Sequence, residues 1–205
     1  MARNYGGVSA EERVAERRAR LVAAGREQLA ATGWQGTSLR SVCARSGLAD
    51  RYFYESFESR DALLIAVCDQ VMAETLEVAG ARLATAPRSY HAQVRAAADA
   101  VLDLLDRDTG LVRVLLLETP DTAALNDQRR RMMGGLVDLL VLATGDLDSL
   151  RGASEARRRL GAHAVLGALF ELLTAWTASE LDLPREELLD FVVRVAVSLA
   201  GPAPA

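Results

Sequence analysis

Lysine is absent from the 205-residue sequence, and histidine, cysteine and proline are rare, with two, two and five residues respectively. Aromatic residues make up 5% of the chain, whereas half of it is apolar and dominated by alanine, leucine and valine. Because alanine and leucine are strong helix formers, this balance favours packed helices over a sheet. The missing lysine is most simply a coding bias of a GC-rich genome. Its physical consequence is that all 24 cations are planar guanidinium groups, which can form paired hydrogen bonds to anions.

Catalytic motifs are missing as well. No Gly-rich phosphate loop follows a strand pattern, and the sequence has no HExxH, no GxSxG and no paired-cysteine metal motif. We therefore expect no enzymatic activity, no metal site and no cofactor. Cys43 and Cys68 lie at apolar helical spacing, which favours buried reduced thiols, with a redox switch as the alternative.

The sequence shows neither a signal-peptide pattern nor an uninterrupted apolar run of membrane length, so we expect a cytoplasmic protein without a membrane partner. The net charge of -4 argues against a protein coated with base for nonspecific binding. Residues 1–70 nevertheless carry ten arginines against nine acidic residues, and the remainder carries fourteen against nineteen. A few well-placed cations are sufficient for phosphate contacts.

The first predicted helix has a recognisable start and stop. Ser9 and Glu12 fit a capping box, in which each side chain bonds the other's backbone N–H. The helix is predicted to run to about Ala31. Gly33 suits the left-handed position that commonly ends a helix.

Two short helices follow, joined by a tight turn that contains Gly47. Thr37 or Ser38 can cap the first of them, and the second spans roughly Asp50 to Glu55. Two short helices joined by such a turn form the helix-turn-helix unit that places a helix in the DNA major groove.

The remaining two thirds of the chain also has helical periodicity. Ser59 can cap a long fourth helix that stops before Pro87. The run at 111–118 could be a buried strand by pattern alone, but it would have no partner strand, so we interpret it as helical. Gly134-Gly135 should weaken or bend the helix that contains it. Five further helices are predicted near 89–106, 109–118, 121–144, 154–180 and 185–200.

The predicted fold is therefore all-α, with about nine helices in two domains. A three-helix helix-turn-helix DNA-binding domain would occupy residues 1–62. A larger helical domain, for which the resemblance described below implies ligand binding and dimerisation, would occupy residues 63–205.

Five features within residues 17–64 occur together in a fixed order. A glycine-aromatic turn precedes a Thr-Ser helix start, a glycine turn, an aromatic-rich helix and a charged start to the fourth helix. In this chain they are Gly33-Trp34, Thr37-Ser38, Gly47, Tyr54-x-x-Phe57 and Ser59-Arg60-Asp61. The pattern resembles the DNA-binding domain of the TetR family of bacterial transcriptional regulators. The resemblance implies a DNA-binding regulator whose third helix is the recognition helix.

The resemblance also implies which residues meet DNA. Arg51 and Tyr52 would face base edges, where arginine bonded to guanine is the commonest specific contact. Tyr54 and the N-termini of the second and fourth helices would hold phosphates, since helix N-termini suit anions. Solvated or half-buried side chains are the alternative for the first two, and capping alone is the alternative at the helix starts. The complete predicted set is Thr37, Ser38, Arg40, Asp50, Arg51, Tyr52, Tyr54 and Arg60.

Two positions depart from the family's usual residues. Ala49 replaces a serine that usually caps the recognition helix, and Arg60 replaces a lysine while keeping its charge. Asp50 could cap the helix in place of that serine, or simply add negative charge to the helix N-terminus. It could also accept a hydrogen bond from a cytosine amino group.

The predicted 154–180 helix is apolar almost all round between Ala164 and Trp176, so it needs two packing partners. One partner is its own domain, and a second copy of the chain could be the other. We predict that this helix and the last one pair with their copies as a twofold four-helix interface. Intramolecular core is the alternative. The predicted interface residues are Gly161, Ala164, Ala168, Ala175, Phe191, Val192, Val195 and Leu199.

Candidate ligand-sensing residues are few. The Met132-Met133 pair could line an adaptable pocket, although ordinary core is the simpler interpretation for every one of these positions. The candidates are Tyr90, His91, His163, Phe170 and Trp176.

Together these patterns predict a ligand-responsive transcriptional regulator, most simply a repressor. A homodimer would bind a palindromic operator in double-stranded DNA, and a small, hydrophobic effector would release it by shifting the conformational equilibrium. The alternative is an architectural or partner-binding DNA-associated protein without a small-molecule inducer.

Overall fold

The structure, a computed structural model, describes residues 9–108, 110, 122–144 and 153–200. No strand occurs in these ranges, and the predicted all-α class is confirmed. Apart from residue 110, the predicted helix at 109–118 lies outside the described residues. The described helices are α1 (Ala10–Gly36), α2 (Leu39–Ser46), α3 (Asp50–Ser56), α4 (Arg60–Thr85), α5 (Tyr90–Arg107), α6 (Ala123–Thr144), α7 (Glu155–Thr177) and α8 (Arg185–Ala200).

The first helix, α1, begins with the predicted capping box. Ser9 Oγ accepts a hydrogen bond from the Glu12 N–H at 3.0 Å, and the Glu12 carboxylate accepts one from the Ser9 N–H at 2.5 Å. Those bonds lower the pKa of the Glu12 carboxyl. Gly33 has φ 71° and ψ -174°, a region essentially reserved for glycine, and kinks the helix. The helix resumes for one turn to Gly36, so Gly33 produces a kink where the sequence predicted an end.

Ser38, and not Thr37, caps α2, because its hydroxyl accepts the Ser41 N–H at 3.1 Å. Gly47 ends the helix with φ 67° and ψ 24°, which is the left-handed conformation. The N–H groups of Gly47 and Leu48 both donate to the Cys43 carbonyl, so the turn satisfies the end of the helix internally.

The next two helix starts differ in how they are capped. Ala49 is the N-cap residue of α3 and supplies no side-chain hydrogen bond. Asp50 lies inside the first turn and so does not cap α3. Its negative charge there interacts favourably with the positive end of the helix dipole. Ser59 caps α4 as predicted, with Oγ accepting the Ala62 N–H at 3.1 Å.

Large apolar side chains fix α1 to α3 and the start of α4 together. Phe53 of α3 and Leu63 of α4 are fully buried, and so are Leu21, Leu29 and Val42. Gly25 of α1 lets α4 come close, since a Cβ atom there would lie 3.2 Å from Leu63 Cδ2 and 3.3 Å from Val67 Cγ2.

The contacts of the chain divide into two compact units. The first comprises residues 1–70 and 110–129, and the second comprises residues 71–109 and 130–205. Both α4 and α6 contribute residues to each unit, so the chain passes between the units inside continuous helices.

The second unit combines an aliphatic core with a network of charges. Arg82 of α4 pairs with Asp99 and Asp103 of α5. Arg185 of α8 bonds the same two carboxylates at 2.7 and 2.6 Å. Because each carboxylate serves two guanidinium groups, the network ties α4, α5 and α8 together.

The sixth helix, α6, runs through Gly134 and Gly135 without interruption. The structure places no neighbouring atom within 4 Å of a Cβ added at either glycine. Neither position is therefore required by close packing.

The seventh helix, α7, ends at Thr177, three residues before the predicted end. By length and composition alone it is apolar enough to cross a membrane, a test that the core helices of many proteins also meet. Only 22% of its most apolar window is buried within the chain. Much of its apolar surface therefore has no cover from the described residues of the same chain.

Candidate nucleic-acid interface

The third helix divides its side chains between the core and solvent. Phe53 and Phe57 are buried with ring centroids 5.8 Å apart. Asp50, Arg51 and Tyr54 are exposed. Phe53 and the C-cap residue Phe57 therefore anchor one side of α3, and the exposed residues on the other side can face a partner.

Arg51 and Tyr52 form one side-chain assembly. The Arg51 guanidinium lies over the Tyr52 ring, 4.5 Å from its centroid, and donates a hydrogen bond to the Tyr52 hydroxyl at 2.6 Å. Tyr52 is half-buried, whereas Arg51 is exposed. The pair thus presents a cation beside an aromatic ring, which matches both hydrogen-bonding and apolar features of base edges.

Tyr54 is the most exposed of the aromatic residues on α3, with 63% of its surface accessible. Its ring meets the buried Phe53 ring edge-on, with centroids 5.7 Å apart. An aromatic ring supported underneath with its hydroxyl in solvent can donate to a phosphate without losing its packing.

Asp50 faces back towards α2 as well as towards solvent. Burial is the main cause that raises the pKa of the Cys43 thiol, and the nearby Asp50 carboxylate raises it further. Cys43 is therefore a buried, protonated thiol at neutral pH, in agreement with the prediction for both cysteines. The remaining acceptor capacity of Asp50 lies at the exposed start of α3.

The start of α2 brings together three more predicted residues in different environments. Thr37 is 0% exposed, and its hydroxyl donates to the Gly33 carbonyl at 2.8 Å. Ser38 is exposed while it caps the helix, and Arg40 is exposed with no ion pair among the described residues. This end of α2 can therefore offer backbone N–H groups and one outward cation to an anion.

Arg60 lies at the start of α4. It is partly buried, and its Nε lies 3.3 Å from Asp61 Oδ1. The pair leaves this helix start less cationic than Arg60 alone would make it.

Sequence reasoning missed how arginines of α1 support this surface. Arg17 lies over the Tyr52 ring at 4.7 Å, and Arg18 lies over the Phe57 ring at 4.2 Å. Arg20 donates to the Ser46 carbonyl at 2.7 Å. The density of arginine at 13–20 was the only signal, and it does not show which ring each one meets.

The second unit contains a narrow cavity of about 30 Å³, lined only by aliphatic side chains. Contributors include Leu83 of α4, Ala98 of α5, Leu140 of α6, Leu169 of α7 and Val192 of α8. The volume is about that of one water molecule. An apolar ligand could enter only if these helices moved apart.

None of the five predicted ligand-sensing residues lines this cavity. Tyr90 packs against the adjoining core, and burial raises the pKa of its hydroxyl. His91 and His163 are exposed, and Phe170 is half-buried. Trp176 donates from Nε1 to the Leu183 carbonyl at 2.9 Å, which closes the turn between α7 and α8.

The predicted interface residues have mixed environments. Ala164 and Phe191 are exposed, and Gly161, Ala168, Ala175 and Val195 are partly buried. Val192 is buried in its own chain beside the cavity. The side chain of Leu199 lies outside the described residues. Leu160, which was not predicted, is 71% exposed on α7.

Comparison with known proteins agrees with this geometry. Residues 21–67 match the family model described as bacterial regulatory proteins, tetR family. These residues therefore form a tetR-family regulatory domain. No protein in a curated sequence collection matches the chain.

Solved structures of similar fold cover nearly the whole chain. The fatty acid degradation regulator FadR from Bacillus halodurans has 18% identity and a TM-score of 0.72, covering 98% of both chains. FadR from Bacillus subtilis, solved with stearoyl-CoA, has 17% identity and a TM-score of 0.72, covering 89% of this chain and 97% of its own. AibR, solved with isovaleryl coenzyme A and operator DNA, has 18% identity and a TM-score of 0.64, covering 86% and 96%. At these identities the likeness concerns the fold.

Proposed function

We propose that the protein is a ligand-responsive transcriptional repressor that binds a palindromic operator as a homodimer. The observation that carries the proposal is the division of α3, where Phe53 and the C-cap residue Phe57 are buried while Arg51 and Tyr54 are exposed. A short helix anchored on one side and chemically suited to base edges on the other fits a major groove. Acting on chromosomal DNA, such a protein would work in the cytoplasm.

In this proposal Arg51 and Tyr52 read base edges, and Asp50 accepts a hydrogen bond from a cytosine amino group. Tyr54, Ser38, Arg40 and Arg60 contact phosphates, as does the backbone at the start of α2. The Thr37 hydroxyl has a structural role, because it is buried and already donates to Gly33.

The dimer in this proposal is formed by α7 and α8. Support comes from the apolar residues that these helices leave exposed, since Leu160 is 71% and Phe191 46% accessible. A twofold axis would bring two copies of α3 to successive major grooves about 34–36 Å apart, or at a somewhat larger spacing.

The effector in this proposal carries an aliphatic chain. The cavity in the second unit is lined only by aliphatic groups, which would favour an alkyl group over a polar one. FadR from Bacillus subtilis and AibR, whose folds are similar, were solved with stearoyl-CoA and isovaleryl coenzyme A. We therefore propose acyl thioesters as the first class to test.

Release would follow from the differential affinity of the effector for two conformations. The cavity must widen to admit a ligand, and Leu83 of α4 is one of its walls. Because α4 continues from residues of the first unit into the second, its displacement would change the presentation of α3. A preference of a few kcal/mol for the widened conformation is sufficient to release DNA.

The DNA-binding step can be tested by enriching duplexes from a randomised library with the full-length protein. We expect a palindromic sequence to be enriched and Arg51→Ala to lower its affinity by about 1–3 kcal/mol. Arg45→Ala is the matched control, since Arg45 belongs to the same domain but pairs with Glu27 at 3.0 Å. Weak binding without sequence preference would refute the regulator and favour the architectural alternative.

The effector step needs a separate measurement. Stearoyl-CoA should raise the thermal midpoint of the full-length protein and displace the enriched duplex, whereas coenzyme A alone should do neither. If both compounds act equally, recognition does not use the aliphatic cavity, and the acyl part of the proposal fails.

A further inference from the structure

Tyr52 is held by two guanidinium groups from different helices. Cζ of Arg51 lies 4.5 Å from the ring centroid, and Cζ of Arg17, which belongs to α1, lies 4.7 Å from it. Arg51 is exposed and available to DNA, whereas Arg17 is partly buried. Arg51 is therefore accessible to DNA, and Arg17 is less accessible to it.

Arg17 is itself fixed by a second contact with the same helix. Its Nη2 lies 3.2 Å from Glu55 Oε2, so it donates a hydrogen bond within an ion pair. Tyr52 and Glu55 are three positions apart and share one face of α3. Arg17 thus bridges two side chains of α3, with its guanidinium carbon over the Tyr52 ring and its Nη2 bonded to the Glu55 carboxylate.

This arrangement is suited to orienting a ring and poorly suited to binding a phosphate. The Arg17 charge is already paired with the Glu55 carboxylate, and its guanidinium group already contacts the Tyr52 ring. A ring that is ordered before binding lowers the conformational cost of the complex. Arginine provides both contacts at once, which lysine cannot.

We propose that Arg17 is a positioning residue for DNA recognition, which holds Tyr52 in the orientation that meets base edges. It contributes to discrimination between sequences and not to general affinity for the DNA backbone. This inference rests on the proposed function, because it assumes that α3 reads DNA.

The test compares the affinity of the full-length protein for the enriched duplex with its affinity for a scrambled duplex. Arg17→Gln should lower the ratio of the two affinities roughly tenfold, as loss of a cation–π contact and its ion pair predicts. Its affinity for scrambled DNA should change less than about twofold, and the slope of log affinity against log salt should stay as in the wild type.

Arg18→Gln is the matched control because it removes the same charge from the next residue of α1. Arg18 lies over the Phe57 ring at 4.2 Å and donates to the Ser56 carbonyl at 2.9 Å. It should leave the affinity ratio within about twofold of the wild type, since no base contact depends on Phe57. An equal loss in both variants would indicate general docking of α1 and would overturn the inference.

A double-mutant cycle separates positioning from a direct contact. In a Tyr52→Ala background, Arg17→Gln should lower the ratio no further, because the ring that it orients is gone. Arg17→Lys keeps the charge without the planar stack and should lose roughly threefold, which supplies a second variant if Arg17→Gln folds poorly.

The outcomes distinguish this inference from the function on which it rests. If Arg17→Gln weakens both duplexes equally and reduces the salt slope by about one, then Arg17 contacts phosphate and the inference alone fails. If the wild-type protein enriches no sequence, the proposed function fails and the inference fails with it.

Discussion

The two units of this protein differ in how far their large apolar side chains are exposed. In the first unit, Phe53 and Phe57 are buried, and Tyr54 is the exposed aromatic residue of α3. In the second, Leu142, Leu160 and Phe191 are exposed, and an aliphatic cavity remains inside. Among the described residues of the first unit, the exposed large hydrophobic or aromatic side chains are Val14 of α1 and Tyr54 of α3. In the second unit, Leu160 of α7 and Phe191 of α8 fit contact with another copy of the chain, and the cavity fits an apolar ligand.

The largest expected effect comes from the core of the first unit. Phe53→Ala should destabilise that unit by about 3–5 kcal/mol, because it removes a fully buried ring. The two tryptophans can show where the loss occurs, since Trp34 belongs to the first unit and Trp176 to the second. Urea unfolding followed by fluorescence should show a lower midpoint for Trp34 and a much smaller shift for Trp176.

Single-tryptophan variants, Trp34→Phe and Trp176→Phe, would assign the two signals. Equal shifts at both tryptophans would mean that the two units unfold together. The difference in their packing would then not produce a difference in their free energies of unfolding.

The second effect concerns the exposed apolar surface. Leu160→Arg should weaken self-association roughly a hundredfold, because it places a charge in the proposed interface of α7. Leu142→Arg is the control, since Leu142 is 79% exposed but belongs to α6. Sedimentation at micromolar concentration should give a dimer for the wild type and Leu142→Arg, and a monomer for Leu160→Arg. A monomeric wild type would refute the interface.

The third comparison sets one glycine from each unit against the other. Gly33→Ala should cost about 1–3 kcal/mol, since its φ of 71° and ψ of -174° suit only glycine. Gly134→Ala should instead stabilise by up to about 1 kcal/mol, because it lies within α6 with open space around its Cα. Thermal unfolding should show a lower midpoint for Gly33→Ala and a higher one for Gly134→Ala. A lower midpoint for Gly134→Ala would contradict the open space that the structure shows around this position.

The smallest expected effect is a pH dependence in the first unit. Burial raises the pKa of the Cys68 thiol from its ordinary 9.0 to about 12. Between these values the unfolded chain loses the proton while the folded chain keeps it, so the free energy of unfolding falls as pH rises. The limit is about 1.4 kcal/mol per pH unit for one group.

Denaturant midpoints of the Cys43→Ala and Cys43→Ala/Cys68→Ala proteins between about pH 8 and 10, the range in which an unfolded thiol ionises, would isolate this contribution. The steeper decline should belong to the protein that retains Cys68. Parallel declines would mean that the Cys68 thiol ionises as readily in the folded state as in the unfolded one.

Local rules accounted for most of what the sequence predicted correctly. The capping box at Ser9, the cap at Ser59 and the left-handed Gly47 depend on residues at most a few positions apart. Gly33 was identified by the same reasoning, although the helix resumes after it. The hydrogen bonds that begin and end these helices involve residues close in sequence, so a sequence pattern can predict them.

Contacts between helices could not be predicted in this way. Its position before a predicted helix favours an exposed Thr37. In the structure Thr37 is buried, and its hydroxyl donates to the Gly33 carbonyl at the kink of α1. Arg17 meets Tyr52 and Glu55 only after α1 and α3 have packed. The cavity likewise depends on five helices, which explains why aromatic residues chosen by type did not line it.

Guanine methylation interference can show whether α3 reads the major groove, because it probes N7, which lies in that groove, at each guanine of the enriched duplex. We expect interference at symmetric guanines in two half-sites separated by about one helical turn or slightly more, and loss of that pattern when Arg51→Ala is used. Interference confined to adenine N3 in the minor groove, or a pattern unchanged by Arg51→Ala, would contradict the assignment of α3 as the reading element.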